Sequence, residues 1–189
     1  MPSEIAIARC GPLDAFSIGG EAAISVLPPA SRCIFRGRPA AVAAAGRAFG
    51  VALPERACRA AAAGDRAALW LGPDEWLLLA PADAGEALRE AIEREIGDAP
   101  HSLVDVSHRQ IAIEVTGAAA EATLNVGCPL DLDPEVFPVG MCTRTLLVKS
   151  EVVLWRTAPL VFRIEVWRSL ASYAWRVLEE ASREFRRKV

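Results

Sequence analysis

The stretch LVDVSHRQIAIEVTGAAAEATLNVG, residues 103–127, joins a polar signature to a strand and then to a helix. Apolar residues that alternate with more polar neighbours, the period of a strand with one buried face, are Ile111, Ile113 and Val115. Gly117 ends this strand. The residues that follow at helical spacing are Ala119, Ala122, Thr123 and Val126. Gly127 stands where a left-handed helix C-cap is expected, so the stretch predicts a strand, a tight turn and a helix.

The composition indicates one domain with a large core. The chain has 189 residues, of which 52% are hydrophobic, which is ample for an extensive apolar interior. The formal net charge is −3, and no basic stripe suggests nucleic-acid binding. The C-terminal Arg186, Arg187 and Lys188 predict the cationic last turn of a helix.

No segment predicts a membrane anchor or a secretion signal. Apolar runs fall short of the roughly 18 residues that a membrane span needs, and the N-terminus lacks a charged region followed by a long apolar one. The cysteines are Cys10, Cys33, Cys58, Cys128 and Cys142. Because they form no CxxC pair, we interpret them as reduced thiols, mostly buried. We expect a cytoplasmic protein with no membrane partner.

The first half of the chain predicts an arm followed by a strand, a helix and a hairpin. Residues 1–30 are predicted to form an N-terminal arm that is either docked on the rest or partly mobile. A strand over residues 32–36 precedes a helix with Pro39 at its first position and Gly50 as its cap. Apolar runs at residues 68–71 and 76–80 flank turn residues, which is typical of a hairpin.

Two amphipathic helices are predicted from their caps and apolar stripes. Asp83 lies three residues before Glu86, a variant of the capping box, and the helix that follows stops at Gly97. The second helix closes the chain, with Ser169 as its predicted N-cap.

The second half of the chain predicts three further strands after a proline-rich loop. These are residues 143–149, 151–156 and 161–167. In the last of them Phe162, Ile164 and Val166 face one side, and Arg163 and Glu165 face the other.

The same order of elements occurs twice, which suggests an internal repeat. Arg32 and Ile34 align with Arg109 and Ile111 at a constant shift of 77 residues. Each half alone would expose an apolar sheet face. The sequence therefore predicts an α+β fold in which residues 31–189 form a single domain of two units, about 31–97 and 103–187, packed about a pseudo-two-fold axis. A chance alignment of alanine-rich helices is the alternative.

Polar residues near the start of residues 103–127 are interpreted as structural and not catalytic. Asp105, Ser107 and His108 suggest a nucleophilic triad, but neighbours in an extended chain point to opposite faces. Asp105 and Ser107 are therefore expected to bond to backbone donors. His101 is interpreted as a loop residue, with too few nearby ligands for a metal.

Neither a calcium site nor a phosphate loop is predicted. The loop acids Asp131, Asp133 and Glu135 lack the central glycine and terminal glutamate of a calcium-binding loop, and no GxGxxG or GxxxxGKS run is present. No catalytic, cofactor-binding or metal-binding residue is therefore assigned. The tryptophans, Trp70, Trp76, Trp155, Trp167 and Trp175, predict core positions, with at least one face available to a subunit contact.

Several motifs together resemble a known family. DVSHRQIAIEVTGAAAEATLNVGCPLDL, residues 105–132, resembles the start of the folate-binding aminomethyltransferase domain of the glycine cleavage system. With LGPDEWLLL at 71–79, RTLLV from Arg144 and the closing SLASYAWRVL helix, the chain from about Ser17 onward resembles the gamma subunit of heterotetrameric sarcosine oxidase. This resemblance implies an aminomethyltransferase-like fold.

The resemblance also implies a function in one-carbon metabolism. The complex oxidises sarcosine to glycine, with hydrogen peroxide and either formaldehyde or 5,10-methylenetetrahydrofolate as further products. It implies alpha, beta and delta partner subunits, chiefly alpha, which hold FAD, FMN, NAD, zinc and tetrahydrofolate. The gamma chain is expected to hold none of these and to be non-catalytic.

One departure from the transferase pattern leaves an alternative open. The transferase helix is followed by an Asn-Asp pair whose aspartate serves folate chemistry, whereas this chain has Asn125-Val126-Gly127-Cys128. No catalytic residue is therefore carried over, since function belongs to the site and not to the scaffold. A stand-alone folate-binding module or one-carbon transferase is the alternative, and a cytosolic scaffold outside one-carbon metabolism is a third.

Overall fold

The computed structural model describes Leu13 and residues 16–185. In chain order the strands are β1 (Ser17–Ile18), β2 (Ala23–Val26), β3 (Ala30–Gly37), β4 (Ala60–Ala63), β5 (Arg66–Gly72), β6 (Glu75–Pro81), β7 (His101–Asp105), β8 (Gln110–Thr116), β9 (Cys142–Leu147), β10 (Ser150–Ala158) and β11 (Val161–Trp167). The α-helices are α1 (Pro39–Phe49), α2 (Gly85–Ile96), α3 (Ala120–Asn125) and α4 (Ala171–Ala181).

The strands form two antiparallel sheets. One has the order β1-β2-β8-β11-β10-β9 and the other β4-β5-β6-β3-β7. Most neighbours along the chain pair directly, as in the β5–β6 and β10–β11 hairpins. Other pairings join strands that are distant in the chain: β2 pairs with β8, and β7 pairs with β3. Residues 17–26, within the segment expected to be an arm, therefore contribute β1 and β2 to the larger sheet.

Each sheet packs helices on one face and the other sheet on its second face. Along β6, Trp76 and Leu78 join the core that includes α1 and α2, whereas Leu77 and Leu79 join a smaller cluster shared with β9 and β10. The period of two along a strand produces this division. A third core joins the larger sheet to α3 and α4. The resulting fold has four layers, helix, sheet, sheet and helix.

Several predicted elements are confirmed. Helix α1 begins at Pro39, and Gly50 has a φ of 78° and donates its N–H to the carbonyls of Gly46 and Arg47. A left-handed residue at this point satisfies carbonyls that the last turn leaves free. The hairpin predicted around residues 72–75 is β5–β6, and Gly97 ends α2.

The predicted N-caps of two helices are wrong. Helix α2 is preceded by Ala84, and no side chain caps it, so Asp83 plays no such part. The chain enters this helix through a turn in which the Ala84 N–H bonds to the Pro81 carbonyl. Before α4 a 3₁₀ turn over Arg168–Leu170 occupies the place expected for the Ser169 cap.

Gly127 is not the predicted left-handed cap. Helix α3 ends at Asn125, and its C-cap is Val126 in the right-handed region. A Cβ at residue 127 would lie 2.8 Å from Cγ2 of Val148 and 3.1 Å from Cδ1 of Leu147. The glycine is therefore required by the close approach of the β9–β10 hairpin.

On the face of β11 that is predicted to be polar, Glu165 is buried. Phe162, Ile164 and Val166 are in the core, as predicted, but Glu165 is 1% exposed. Its Oε2 accepts from Nε of Arg32 on β3 at 2.6 Å. Because the second sheet covers this face, a charged residue there is buried and paired across the two sheets.

Within the described residues, no helix is both long and apolar enough to cross a membrane. The predicted cationic turn at Arg186, Arg187 and Lys188 and the thiol of Cys10 lie outside the described residues.

Candidate functional site

The Asp105-Ser107 pair closes the corner between β7 and β8. Oδ1 of Asp105 accepts from the Ser107 N–H at 2.8 Å and from the Ser107 hydroxyl at 2.6 Å. The Ser107 Oγ in turn accepts from the Arg32 N–H at 2.9 Å. Hydrogen bonds from Ser107 lower the pKa of Asp105. The polar residues thus bond to backbone donors as predicted, and no hydrogen bond joins Ser107 to His108 among the described residues.

His101 is the first residue of β7. The prediction that it lies in a loop is therefore wrong. Its Nδ1 lies 2.7 Å from the Ala99 carbonyl and its Nε2 lies 2.7 Å from Oε2 of Glu93. Both partners accept hydrogen bonds, so only the doubly protonated ring satisfies both. The Ala99 carbonyl, followed by Glu93, accordingly raises the pKa of His101. This histidine therefore joins β7 to α2.

The thiols in the described residues are free, and two of them, Cys33 and Cys142, are poorly suited to nucleophilic chemistry. Burial raises the pKa of Cys33 to about 11 and that of Cys142 to about 12, so both remain protonated near neutral pH. Among the described residues, no group of three or more His, Cys, Asp or Glu side chains is arranged to hold a metal ion.

The acidic loop after α3 uses its carboxylates to organise its own backbone. Oδ1 of Asp131 accepts from the Asp133 N–H at 2.9 Å, and Oδ1 of Asp133 accepts from the Glu135 N–H at 2.8 Å. These are side-chain turns typical of aspartate in loops.

A cleft of about 480 Å³ opens where the two sheets diverge. One wall is formed by the smaller sheet, with Ile34 on β3 and Val104 on β7. The other wall belongs to the larger sheet and includes Gln110 on β8 and Trp167 on β11. Arg36 and Arg144 also line the cleft. Arg36 bonds to the carboxylate of Asp74 in the β5–β6 turn, and Arg144 bonds to that of Glu75 on β6.

Within the described residues, the guanidinium of Arg109 in this cleft has no ion pair and the amide oxygen of Gln110 has no hydrogen bond. The guanidinium carbon of Arg109 lies 5.3 Å from the centroid of the Trp167 ring, and no carboxylate of the described residues lies within ion-pair distance of it. Gln110 is 6% exposed, and its Oε1 accepts no hydrogen bond within the described part of the chain. A buried amide oxygen without a donor is costly.

The tryptophans divide between the core and this cleft. Trp76 and Trp175 are buried, and the indole N–H of Trp76 donates to the Pro54 carbonyl at 2.8 Å. Trp167 is 42% exposed at the end of β11. The sequence predicts a tryptophan contact surface but does not identify the residue, because the cleft is formed by strands distant in the chain.

The layered sheets define the class of protein to which this fold belongs. The glycine cleavage system aminomethyltransferase T from Bartonella henselae superposes with a TM-score of 0.65 over 84% of this chain and 45% of that chain, at 14% identity. At this identity the likeness shows the fold alone, which is aminomethyltransferase-like.

The sequence comparisons identify the family. Residues 36–184 match the sarcosine oxidase, gamma subunit family. The sarcosine oxidase subunit gamma of Corynebacterium sp. (strain P-1) is 35% identical over 76% of this chain and 70% of its own length. A chain of the heterotetrameric sarcosine oxidase from Corynebacterium sp. U-96, solved in complex with pyrrole 2-carboxylate, superposes with a TM-score of 0.85, at 30% identity over 94% of this chain and 92% of that chain. This chain belongs to the sarcosine oxidase gamma subunit family.

Proposed function

We propose that this chain is the non-catalytic gamma subunit of a heterotetrameric sarcosine oxidase. The superposition on a chain of such a complex, over nearly the full length of both chains, carries the proposal. The assembled enzyme is an oxidoreductase of sarcosine catabolism in the cytoplasm. It forms glycine and hydrogen peroxide, and releases the methyl carbon as formaldehyde or passes it to tetrahydrofolate.

The chemistry of the described residues supports a non-catalytic role. The Ser107 hydroxyl, which lies in the segment that resembles the transferase, bonds to Asp105 and to the Arg32 backbone. Cys33 and Cys142 are protonated thiols because burial raises the pKa of both. A subunit with its polar groups committed in this way contributes structure and contacts rather than a reacting group.

We assign FAD, FMN, NAD, zinc and tetrahydrofolate to the alpha, beta and delta subunits, of which alpha is the main contact. Two observations on this chain support the assignment of zinc and the nucleotide cofactors to other subunits. The described part has no metal-binding group of three His, Cys, Asp or Glu side chains, and the sequence has no glycine-rich phosphate loop.

We also infer that the fold of residues 31–189 consists of two related units about a pseudo-two-fold axis. In one sheet, strand β2 is followed by β8, β11, β10 and β9 of the second unit. In the other sheet, strand β7 is followed by β3, β6, β5 and β4 of the first unit, which are the corresponding strands in the same order. This correspondence supports the inference. The backbone bridge between Arg59 and Met141 joins the segments that lead into β4 and β9. This arrangement lets each unit cover the apolar sheet face of the other.

Co-expression with the alpha, beta and delta chains tests the function. We expect all four chains to elute together in size-exclusion chromatography, with sarcosine-dependent release of hydrogen peroxide. Omission of this chain is the control and should reduce the yield of the intact complex. Separate elution of this chain from an assembled alpha-beta-delta complex would reject the proposal. Micromolar binding of a reduced folate by the isolated chain in calorimetry would instead favour a folate-binding module.

A further inference from the structure

Strand β7 is an edge strand with one unpaired side. The Val106 N–H donates to the Arg32 carbonyl at 2.8 Å in the register of the β3–β7 ladder. In an antiparallel ladder, alternate residues bond to the partner and the others turn their N–H and C=O groups away. His101, Leu103 and Asp105 therefore direct their backbone groups outward. No strand of the described residues pairs with this side of β7.

The other sheet closes the corresponding edge. There β2 pairs with β8 as β7 pairs with β3. Strand β1 then pairs with the outer side of β2 through Ser17 and Ile18. No described strand takes that place beside β7. An open edge of this kind is a template for an added strand from another chain.

The cleft continues from this edge and carries the side chains that a partner would contact. Val104 is 50% exposed and Trp167 is 42% exposed, and both line the cleft. Arg109, stacked on Trp167, has no carboxylate partner among the described residues, and the amide oxygen of Gln110 has no donor there. Tryptophan and arginine are the residue types that most often dominate binding at protein interfaces.

We propose that an extended segment of a partner subunit, apolar and acidic in character, adds to β7 as an antiparallel strand. Its backbone bonds to the outward groups of His101, Leu103 and Asp105. An apolar side chain covers Val104 and Trp167, and a carboxylate pairs with Arg109. The assignment of the segment to a partner subunit rests on the proposed function. The register, the open edge and the unpaired arginine are observations on this chain alone.

Two substitutions test the added strand by independent means. Leu103→Pro removes an outward N–H and leaves the hydrogen bonds from β7 to β3 in place, since proline is tolerated on an edge strand when its nitrogen faces outward. Val104→Lys places a charge in the apolar contact. The matched control is Val136→Lys, because Val136 is 55% exposed in the loop after α3. Circular dichroism and the melting temperature of each isolated variant confirm that it folds.

The readout is capture of the variants by tagged alpha, beta and delta subunits. We expect Leu103→Pro and Val104→Lys each to weaken capture by about tenfold or more, as loss of a central interface contact does, whereas Val136→Lys is captured like the unmodified chain. Equal capture of all three variants overturns the proposal and leaves the proposed function intact. Failure of the unmodified chain to be captured overturns both.

Amide hydrogen exchange at single-residue resolution locates the contact. In the isolated chain the amides of His101, Leu103 and Asp105 should exchange quickly, while those of Ser102 and Val104 are already protected by β3. In the complex the three outward amides should become protected. Unchanged exchange at these amides, or a homodimer of the isolated chain that Leu103→Pro abolishes, would overturn the proposal, since the edge would then be free or used by a second copy.

Discussion

Arg32 and Glu165 form an ion pair that crosses from one sheet to the other. The side chains are 3% and 1% exposed, and the Arg163 Nε also donates to Glu165 at 2.8 Å. Desolvation of two charges is expensive, so such a pair adds little net stability over a well-packed apolar pair. Its importance appears when one partner is lost, because the remaining charge is then buried alone.

Glu165→Leu should therefore lower the free energy of unfolding by about 3–5 kcal/mol, the usual effect of removing one partner from a buried pair. The double variant Arg32→Met with Glu165→Leu should recover most of this loss. Urea denaturation followed by circular dichroism measures both. Glu86→Leu is the control, since the exposed Glu86–Arg89 pair should contribute less than about 1 kcal/mol. A double variant as unstable as the single one would contradict this account.

His101 should make stability depend on pH near neutrality. The pKa of His101 is raised above its ordinary value of 6.5, first by the Ala99 carbonyl and then by Glu93. The folded state thus binds the proton more tightly than the unfolded state, and stability from this group is complete below pH 6.5 and is lost as pH rises through the folded pKa.

Urea midpoints measured across this range should fall with rising pH for the unmodified chain. In His101→Gln this component of the fall should disappear, and in Glu93→Gln it should move to lower pH, because one of the two acceptors is weakened. A pH profile of His101→Gln that superposes on that of the unmodified chain would show that another group titrates.

The corner between α3 and the β9–β10 hairpin is an element in which two residues depend on each other. Gly127 lies against Val148, and the Val148 N–H donates to the Gly127 carbonyl at 2.7 Å. Val148 has a φ of 56°, which is strained for a β-branched residue. It stands at the first position of a two-residue hairpin turn, where glycine is preferred.

Gly127→Ala should destabilise the protein by about 1–3 kcal/mol, as overpacking of a close contact does. The added methyl would meet Val148 at 2.8 Å, and the branched side chain has little freedom to rotate away. Adding Val148→Gly should reverse the loss, because it removes both the clash and the backbone strain. Thermal denaturation checks this, with Gly19→Ala as the control, since no atom lies within 4 Å of a Cβ there. Equal loss in the control would reject the packing explanation.

Elements whose signals are local could be predicted from the sequence. The alternation of β8 and β11, the turn residues of the β5–β6 hairpin and the Gly50 cap all depend on neighbours within a few positions. The predicted N-caps at Asp83 and Ser169 were wrong, because a turn before α2 and a 3₁₀ segment before α4 change where each helix begins. The predicted role of Gly127 as a helix cap was wrong because the residue that requires a glycine there, Val148, is 21 residues away in the chain.

The cleft could not be predicted because its walls come from strands that meet only in the folded sheets. Trp167 and Val104 lie on different sheets, and nothing in their local sequence places them together. The burial of Glu165 was missed for the same reason. A period of two identifies the faces of a strand but not whether a second sheet covers the polar one.

At the scale of the whole molecule, the two sheets depend on each other for strands. β2 precedes β3 in the chain but pairs with β8 in the other sheet, and β7 precedes β8 but pairs with β3. The small core between the sheets, with Leu77 and Val153 among its members, draws on both halves. Neither half can bury its apolar surface alone.

A fragment of residues 1–97 should therefore remain unfolded by itself, although it contains all of β3, β4, β5 and β6. It lacks β7, so β3 becomes an open edge, and it exposes Leu77 and Leu79 to water, which removes the apolar burial that offsets chain entropy. Mixing it with residues 98–189 should restore the circular dichroism spectrum and elution volume of the intact chain. The intact chain should unfold in one transition that coincides by tryptophan fluorescence and circular dichroism. Cooperative melting of the isolated fragment, or two separate transitions in the intact chain, would show that the units are independent and that the exchanged strands are not needed for folding.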